Sequence, residues 1–171
     1  MNIALDEARQ ALEAGEFPVG CVLVHKNLVA AGVRRRNSAA GQVNELDHAE
    51  IIALRDLAAK QPDINRQEIV AFSTMEPCLM CYAAMLISGI RSFVYAYEDV
   101  MGGGTSLDLS SLSPLYREMK VSVVPFVLRE ASLGIFKDYF LNPANVYLRG
   151  SLLAEYTLAQ SSKAQGVRRK A

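Results

Sequence analysis

Two short segments hold residues whose types and spacing could do chemistry: His48-Ala49-Glu50 and Pro77-Cys78-Leu79-Met80-Cys81. Zinc binds thiolate sulfur and imidazole nitrogen at about 2.0–2.3 Å and favours four tetrahedral ligands. Cys78 and Cys81 are three residues apart, so on a helix their sulfurs share a face one turn apart. The free N–H groups and positive dipole end of a helix start favour thiolate over thiol. His48, Cys78 and Cys81 make three protein ligands. A structural zinc site is closed by four, whereas a catalytic one keeps a position for water. Two thiolates leave such a centre formally neutral, which weakens its pull on a bound water, so a nearby base becomes useful. Glu50 is the candidate. Side chains two apart on a regular helix point in different directions. His48 and Glu50 can therefore approach one metal only if a helix start tilts both toward its N-terminal end.

Other readings of these residues fit less well. A Cys-x-x-Cys redox pair leaves His48 and Glu50 without a role. A closed structural site needs a fourth ligand, for which Cys21 and His25 are the candidates. Cys21 lies inside the apolar run VGCVLV, where a buried thiol behaves as a small hydrophobe, and His25 sits beside a polar turn.

The elements that must position these groups can be read along the chain. The spacing of Ala4, Ala8, Ala11 and Leu12 predicts an amphipathic helix over Ile3–Ala14, ended by Gly15. Val19–Val24 is a nearly continuous apolar run, as in a strand buried on both faces. It is joined through Lys26-Asn27 to Leu28–Val33 as a hairpin. Arg34–Asp47 is loop-like. Asp47 is the expected N-cap of a helix over His48–Ala59. Ile69–Ser73 reads as a strand, and Pro77 opens a helix to about Ser88, stopped by Gly89. Ser92–Tyr97 is a further strand, followed by a Gly-rich loop over Met101–Ser106. Val121–Val127, with Pro125 inside it, reads as an edge strand. Helices over Leu133–Phe140 and Leu152–Leu158 complete the series. This order predicts an α/β fold, a three-layer α/β/α sandwich on a mixed sheet of about five strands.

Composition fits one domain. The chain has 171 residues, 51% hydrophobic and 21% charged, with length enough for one core. The expectation is a single zinc domain over residues 1–162, with a C-terminal extension from about 142, and a basic disordered tail over 163–171. Lys163, Arg168, Arg169 and Lys170 make that tail basic, and residues 1–162 carry 14 basic and 18 acidic groups, a formal −4. A polyanion would have to bind through a local patch. Three cysteines and no export signal point to a reducing cytoplasm, and no apolar run is long enough to span a bilayer.

The pattern H-x-E…P-C-x-x-C is a signature of zinc nucleobase deaminases. From it outward, the segments EFPVGCVLV, DHAEIIAL and STMEPCLMCYAAMLISGIRSFVYAYED resemble the cytidine/deoxycytidylate deaminase superfamily, most nearly the bacterial tRNA adenosine deaminases. The likeness spans about Ile3–Phe140. It implies one zinc per chain, hydrolytic release of ammonia with Glu50 as proton shuttle, and a homodimer. It also implies a substrate contact from Asn37, at the position where such deaminases place a base-binding asparagine. The likeness has two departures. Relatives acting on tRNA follow the aspartate after the fourth strand with Lys-Thr-Gly, and here Asp99 is followed by Val100-Met101-Gly102. The body is acidic, although Arg34-Arg35-Arg36 could meet a phosphate at the pocket mouth. Gly102–Gly104 reads as a flexible pocket rim. The expected substrate is adenosine in tRNA. The alternatives are a free base, nucleoside or nucleotide of the guanine, cytosine/cytidine or dCMP type, or a catalytically inactive, zinc-stabilised partner subunit.

Overall fold

The computed structural model describes residues 1–39 and 43–160; the basic segment 163–171, expected to be a tail, lies outside them. The elements are α1 (Asn2–Glu13), β1 (Gly20–His25), β2 (Leu28–Arg34), α2 (Ala49–Lys60), β3 (Ile69–Met75), α3 (Leu79–Ile87) and β4 (Ser92–Tyr97). They continue with α4 (Pro114–Arg117), β5 (Ser122–Val124), α5 (Arg129–Leu141) and α6 (Leu152–Ala159). One five-stranded sheet has the order β2-β1-β3-β4-β5. β1 runs antiparallel to β2 and β3, and β3, β4 and β5 are mutually parallel. Helices α1, α5 and α6 lie on one face, while α2, with α3 against it, covers the other. This is the expected three-layer sandwich.

Local chemistry explains the frame. Lys26 and Asn27 both take positive φ, 48° and 67°, the backbone that matches the twist of a two-residue hairpin. α1 buries Ala4, Leu5, Ala8 and Ala11. Its alanines let the helix lie directly on β1, where a Cβ on Gly20 would come 2.1 Å from the Ala4 carbonyl oxygen. β5 is an edge strand of three residues ending just before Pro125, which suits a residue that cannot donate to a ladder. α5 starts four residues earlier than its apolar spacing indicates, at Arg129; its first turn is anchored by the Arg129–Glu98 salt bridge and by the buried Ser132 hydroxyl, which donates to the Thr74 carbonyl, polar ties that an apolar spacing does not reveal.

Asp47 is not the N-cap of α2. His48 holds that position with extended backbone (φ −62°, ψ 146°). The Asp47 carboxylate instead accepts from the Asn37 and Asn44 amides at 2.5 and 2.8 Å, closing the loop before the helix. Likewise Pro77 does not open α3; Cys78 is its N-cap (φ −64°, ψ 167°) and Leu79 its first residue.

The segment after α5 folds back onto the body. Glu98, just past β4, accepts from Arg129 Nε at 2.8 Å, from Arg129 Nη2 and from Tyr156 of α6 at 2.7 Å. Tyr97 and Thr157 share a buried hydrogen bond of 3.0 Å. Phe17, between α1 and β1, meets the rings of Phe136, Tyr139 and Tyr147 at 5.2–5.4 Å. Thus the C-terminal segment is tied to the end of β4 and to the start of β1.

Burial pushes the Glu98 carboxyl up, but the donors on Arg129 and Tyr156 outweigh it and hold its pKa below the ordinary value. A depressed carboxylate contributes stability above the unfolded value, about 4.3, and loses it as pH falls through the lower folded one. Glu98→Gln is therefore expected to cost about 1–2 kcal/mol at pH 7. Thermal denaturation of both proteins should show the gap narrowing as pH falls from about 5 to below 4. A gap independent of pH would contradict this role.

Candidate active site

The site lies past the carboxyl end of β3, where open α/β sheets leave a crevice. There the chain passes through Glu76 and Pro77 into α3, and the start of α2 approaches from the side. His48 and Cys78 are the N-caps of their helices, and Cys81 is the third residue of α3. The spacing problem of His48 and Glu50 thereby disappears. A cap residue has extended backbone, so His48 stands outside the helix while Glu50, its second residue, stays within it.

His48 Nδ1 lies 3.6 Å from Cys78 Sγ and 3.5 Å from Cys81 Sγ, and the three ligand atoms are all within 4.8 Å of one another. Tetrahedral zinc with Zn–N near 2.05 Å and Zn–S near 2.3 Å has an N···S edge of about 3.6 Å. The donor set and both nitrogen–sulfur edges therefore fit zinc. Cys21 is free and wholly buried in β1, and His25 pairs with Glu68 at 3.1 Å. Neither belongs to the cluster.

Protonation follows from the contacts. Cys78 is pulled down to about 4: the Cys81 thiol donates to it, burial opposes, and His48 adds a further donor. Cys81, the donor of that pair, is raised by the hydrogen bond and by its burial. His48 is raised too: burial lowers it, but the hydrogen bond to Cys78 together with the charges of Glu50 and Cys78 outweighs that. Its other ring nitrogen, Nε2, faces Glu45 Oε2 at 3.6 Å. That is an ion-pair distance, and a carboxylate behind a ligating imidazole orients the ring.

Glu50 is 3% exposed. Its Oε1 accepts from Ser73 Oγ at 2.7 Å, and Cys81 Sγ lies 3.7 Å from its Oε2. Burial raises its pKa although the Ser73 bond opposes. A carboxyl raised toward neutrality both takes and returns a proton readily.

His48, Glu50 and Cys78 line a cavity of about 180 Å³ with Phe17, Val19, Met75, Glu76 and Asp99. The Gly-rich loop is its rim, as expected, but it is held rather than flexible. Gly103 bridges to Cys78, Gly103 and Gly104 donate to Asp99 and Pro77 carbonyls at 3.0 and 2.9 Å, and Glu76 accepts from Thr105 Oγ1 at 2.5 Å. A Cβ on Gly104 would sit 2.7 Å from Leu79 Cα.

Asn37 is not among the lining residues. It is exposed, with φ +54°; its amide is engaged by Asp47, and its own N–H by Glu16 at 3.1 Å. The arginine triplet divides. Arg34 bonds Gln10 and Arg36 is exposed, whereas Arg35 is 2% exposed and lines the cavity. Its backbone N–H continues the sheet pairing to the Val19 carbonyl at 2.8 Å, so counting from the hairpin would have placed it. The extension contributes Tyr147, Leu148 and Leu153 to the wall. No motif marks these residues; they reach the cavity through the tertiary ties of the C-terminal segment.

Residues 1–97 match the family model for the cytidine and deoxycytidylate deaminase zinc-binding region. The chain is 35% identical over 119 residues to the tRNA-specific adenosine deaminase 2 of Danio rerio, covering 65% of this chain and 55% of that protein. It is 29% identical over 140 residues to the tRNA-specific adenosine deaminase of Rickettsia typhi, covering 82% and 95%. A solved structure from studies of A-to-I editing by tRNA deaminases at the wobble position superposes with a TM-score of 0.68 at 30% identity. It covers 79% of this chain and 96% of that one. The guanine deaminase of Nitrosomonas europaea, at 21% identity and TM-score 0.62, shares the fold.

Purified protein should hold about one zinc per chain. His48→Ala and Cys78→Ala should each weaken zinc at least about 100-fold in chelator competition. Unaltered affinity in either variant would remove that residue from the metal site.

Proposed function

Because the chain belongs to the cytidine and deoxycytidylate deaminase zinc-binding family, a family of hydrolytic deaminases, we propose that its substrate is adenosine in tRNA, converted to inosine with release of ammonia. We assign zinc binding to His48, Cys78 and Cys81 and proton transfer to Glu50. The observation that carries the reading is the placing of Glu50 beside the cluster, buried, held by Ser73 and open to the cavity. A site that only stabilised the fold would need no such acid, which argues against an inactive partner subunit.

When bound, zinc supplies the Lewis acidity that makes water nucleophilic near neutral pH. Glu50 accepts a proton from that water as its oxygen bonds to the amino-bearing carbon of the base, and passes the proton to the adjacent ring nitrogen. The second proton of the added oxygen then returns through Glu50 to the exocyclic amine. The carbon–nitrogen bond breaks and ammonia departs. Ser73 fixes the carboxylate through the whole cycle, and the wall of Phe17, Val19 and Met75 keeps bulk water from the reacting edge.

The tRNA substrate is supported by the names of the relatives and by their coverage of the chain. The same reading implies action in the cytoplasm as a homodimer, with Leu79 and Ile87 of α3, 54% and 63% exposed, available to an interface. Among the described residues no helix is long and apolar enough to cross a membrane. A second reading, a free base or nucleoside as substrate, is favoured by one observation: Tyr147, Leu148 and Leu153 of the extension close part of the cavity, as suits a small ligand.

The test is ammonia release from a tRNA anticodon stem-loop and from free bases, nucleosides and nucleotides. Inosine formed in the stem-loop supports the first reading; turnover of small substrates alone overturns it in favour of the second. Glu50→Gln should keep zinc while losing at least about 100-fold in kcat. Turnover that survives the substitution would refute the shuttle.

A further inference from the structure

Arg35 is a part of the cavity that the chemistry above leaves unused. Its Nη2 donates to Glu45 Oε2 and to the Tyr147 hydroxyl, both at 3.2 Å, and its guanidinium carbon lies 5.0 Å from the Tyr147 ring centroid. Tyr147 in turn donates to Glu45 at 2.8 Å. These contacts fix the guanidinium between the loop before α2 and the C-terminal extension. They leave Arg35 Nε as the only buried side-chain nitrogen or oxygen without a partner among the described residues. Arginine stays protonated in proteins, so this N–H remains a donor whatever surrounds it. Buried donors are as a rule satisfied, and Arg35 lines the cavity that holds Glu50 and Cys78.

We infer that Arg35 determines substrate specificity by donating a guanidinium N–H to an in-plane acceptor of the bound base, a ring nitrogen or a carbonyl oxygen away from the reacting amine. A neutral acceptor suits the cavity better than a phosphate, because Glu50, Glu76 and Asp99 already place three carboxyl groups in its wall. The residue is pre-organised for this: Glu45 neutralises it and Tyr147 stacks on it, so little freedom is lost when the base arrives. The inference rests on reading the site as that of a nucleobase deaminase. It deepens that reading by requiring an acceptor-bearing edge on the substrate.

The experiment combines atom replacement in the substrate with substitution of Arg35. Deamination by the zinc enzyme is measured for adenosine, 3-deazaadenosine and 7-deazaadenosine at the reacting position of an anticodon stem-loop, with the wild type and with Arg35→Met. The wild type should lose about tenfold or more in kcat/KM with one of the two deaza bases. Arg35→Met should lose a similar factor on adenosine and be blind to that same replacement. Arg35→Lys keeps a cation beside Glu45 but lacks the planar fork, and it should behave like the methionine variant; it carries the comparison if Arg35→Met does not fold. Indifference of the wild type to both replacements, or equal penalties in wild type and variant, overturns the inference. If stem-loop adenosine is not deaminated at all, the tRNA reading fails separately. Calorimetric binding of adenine, guanine and cytosine then decides the role of Arg35. One base bound about tenfold more weakly by the variant supports it. Equal affinities, or no base bound by the wild type, overturn it.

Discussion

The whole site depends on the convergence of two helix starts at the end of one central strand. His48 and Cys78 occupy cap positions, where backbone is extended and side chains face away from the helix body. A cap can therefore present an imidazole or a sulfur to a point outside the helix while the next residues enter it. Placing two caps face to face brings Nδ1 to 3.6 Å from Cys78 Sγ, with Cys81 and Glu50 supplied by the first turns behind them. The unpaired N–H groups and positive ends of both helices favour negative charge at this point, where the Cys78 sulfur is held as thiolate. Moving either helix by a fraction of a turn would separate the donors beyond the reach of a single ion.

The rest of the fold holds those two helix starts still. The parallel pair β3 and β4 fixes where α3 begins, and the Gly-rich loop after β4 is pressed against that beginning through Gly103 and Gly104. The loop before α2 is fastened by the Asp47 and Glu16 carboxylates, the latter accepting three backbone N–H groups and the Ser38 hydroxyl. The extension ties Glu45, and through it His48, to Arg35 and Tyr147. Glu45 thus joins His48 of the cluster to Arg35 and Tyr147 of the cavity wall in one set of polar contacts.

Much of this was legible in the sequence. Apolar periodicity and turn residues revealed the strands and all but the shortest helix, α4, and the His-x-Glu and Pro-Cys-x-x-Cys spacings marked the cluster. The start of α2 was off by one residue and that of α3 by two, because Asp47 and Pro77 are favourable there by type, while the Asp47 carboxylate is taken by Asn37 and Asn44 of the preceding loop and Cys78 caps α3. Asn37 drew attention through a likeness of position, while the chain there turns at positive φ and the cavity is met by Arg35, two residues earlier. Tyr147 and Glu45 were invisible, since nothing local distinguishes a tyrosine or glutamate that meets its partner across about a hundred residues of chain.

X-ray absorption at the zinc edge of the purified protein tests the proposed centre most directly. Two sulfur scatterers at about 2.3 Å and two nitrogen or oxygen scatterers at about 2.0–2.1 Å are expected, one of the latter exchangeable with added small ligands. Three sulfurs, or a fourth protein ligand that no small molecule displaces, would contradict a catalytic zinc held by one histidine and two cysteines.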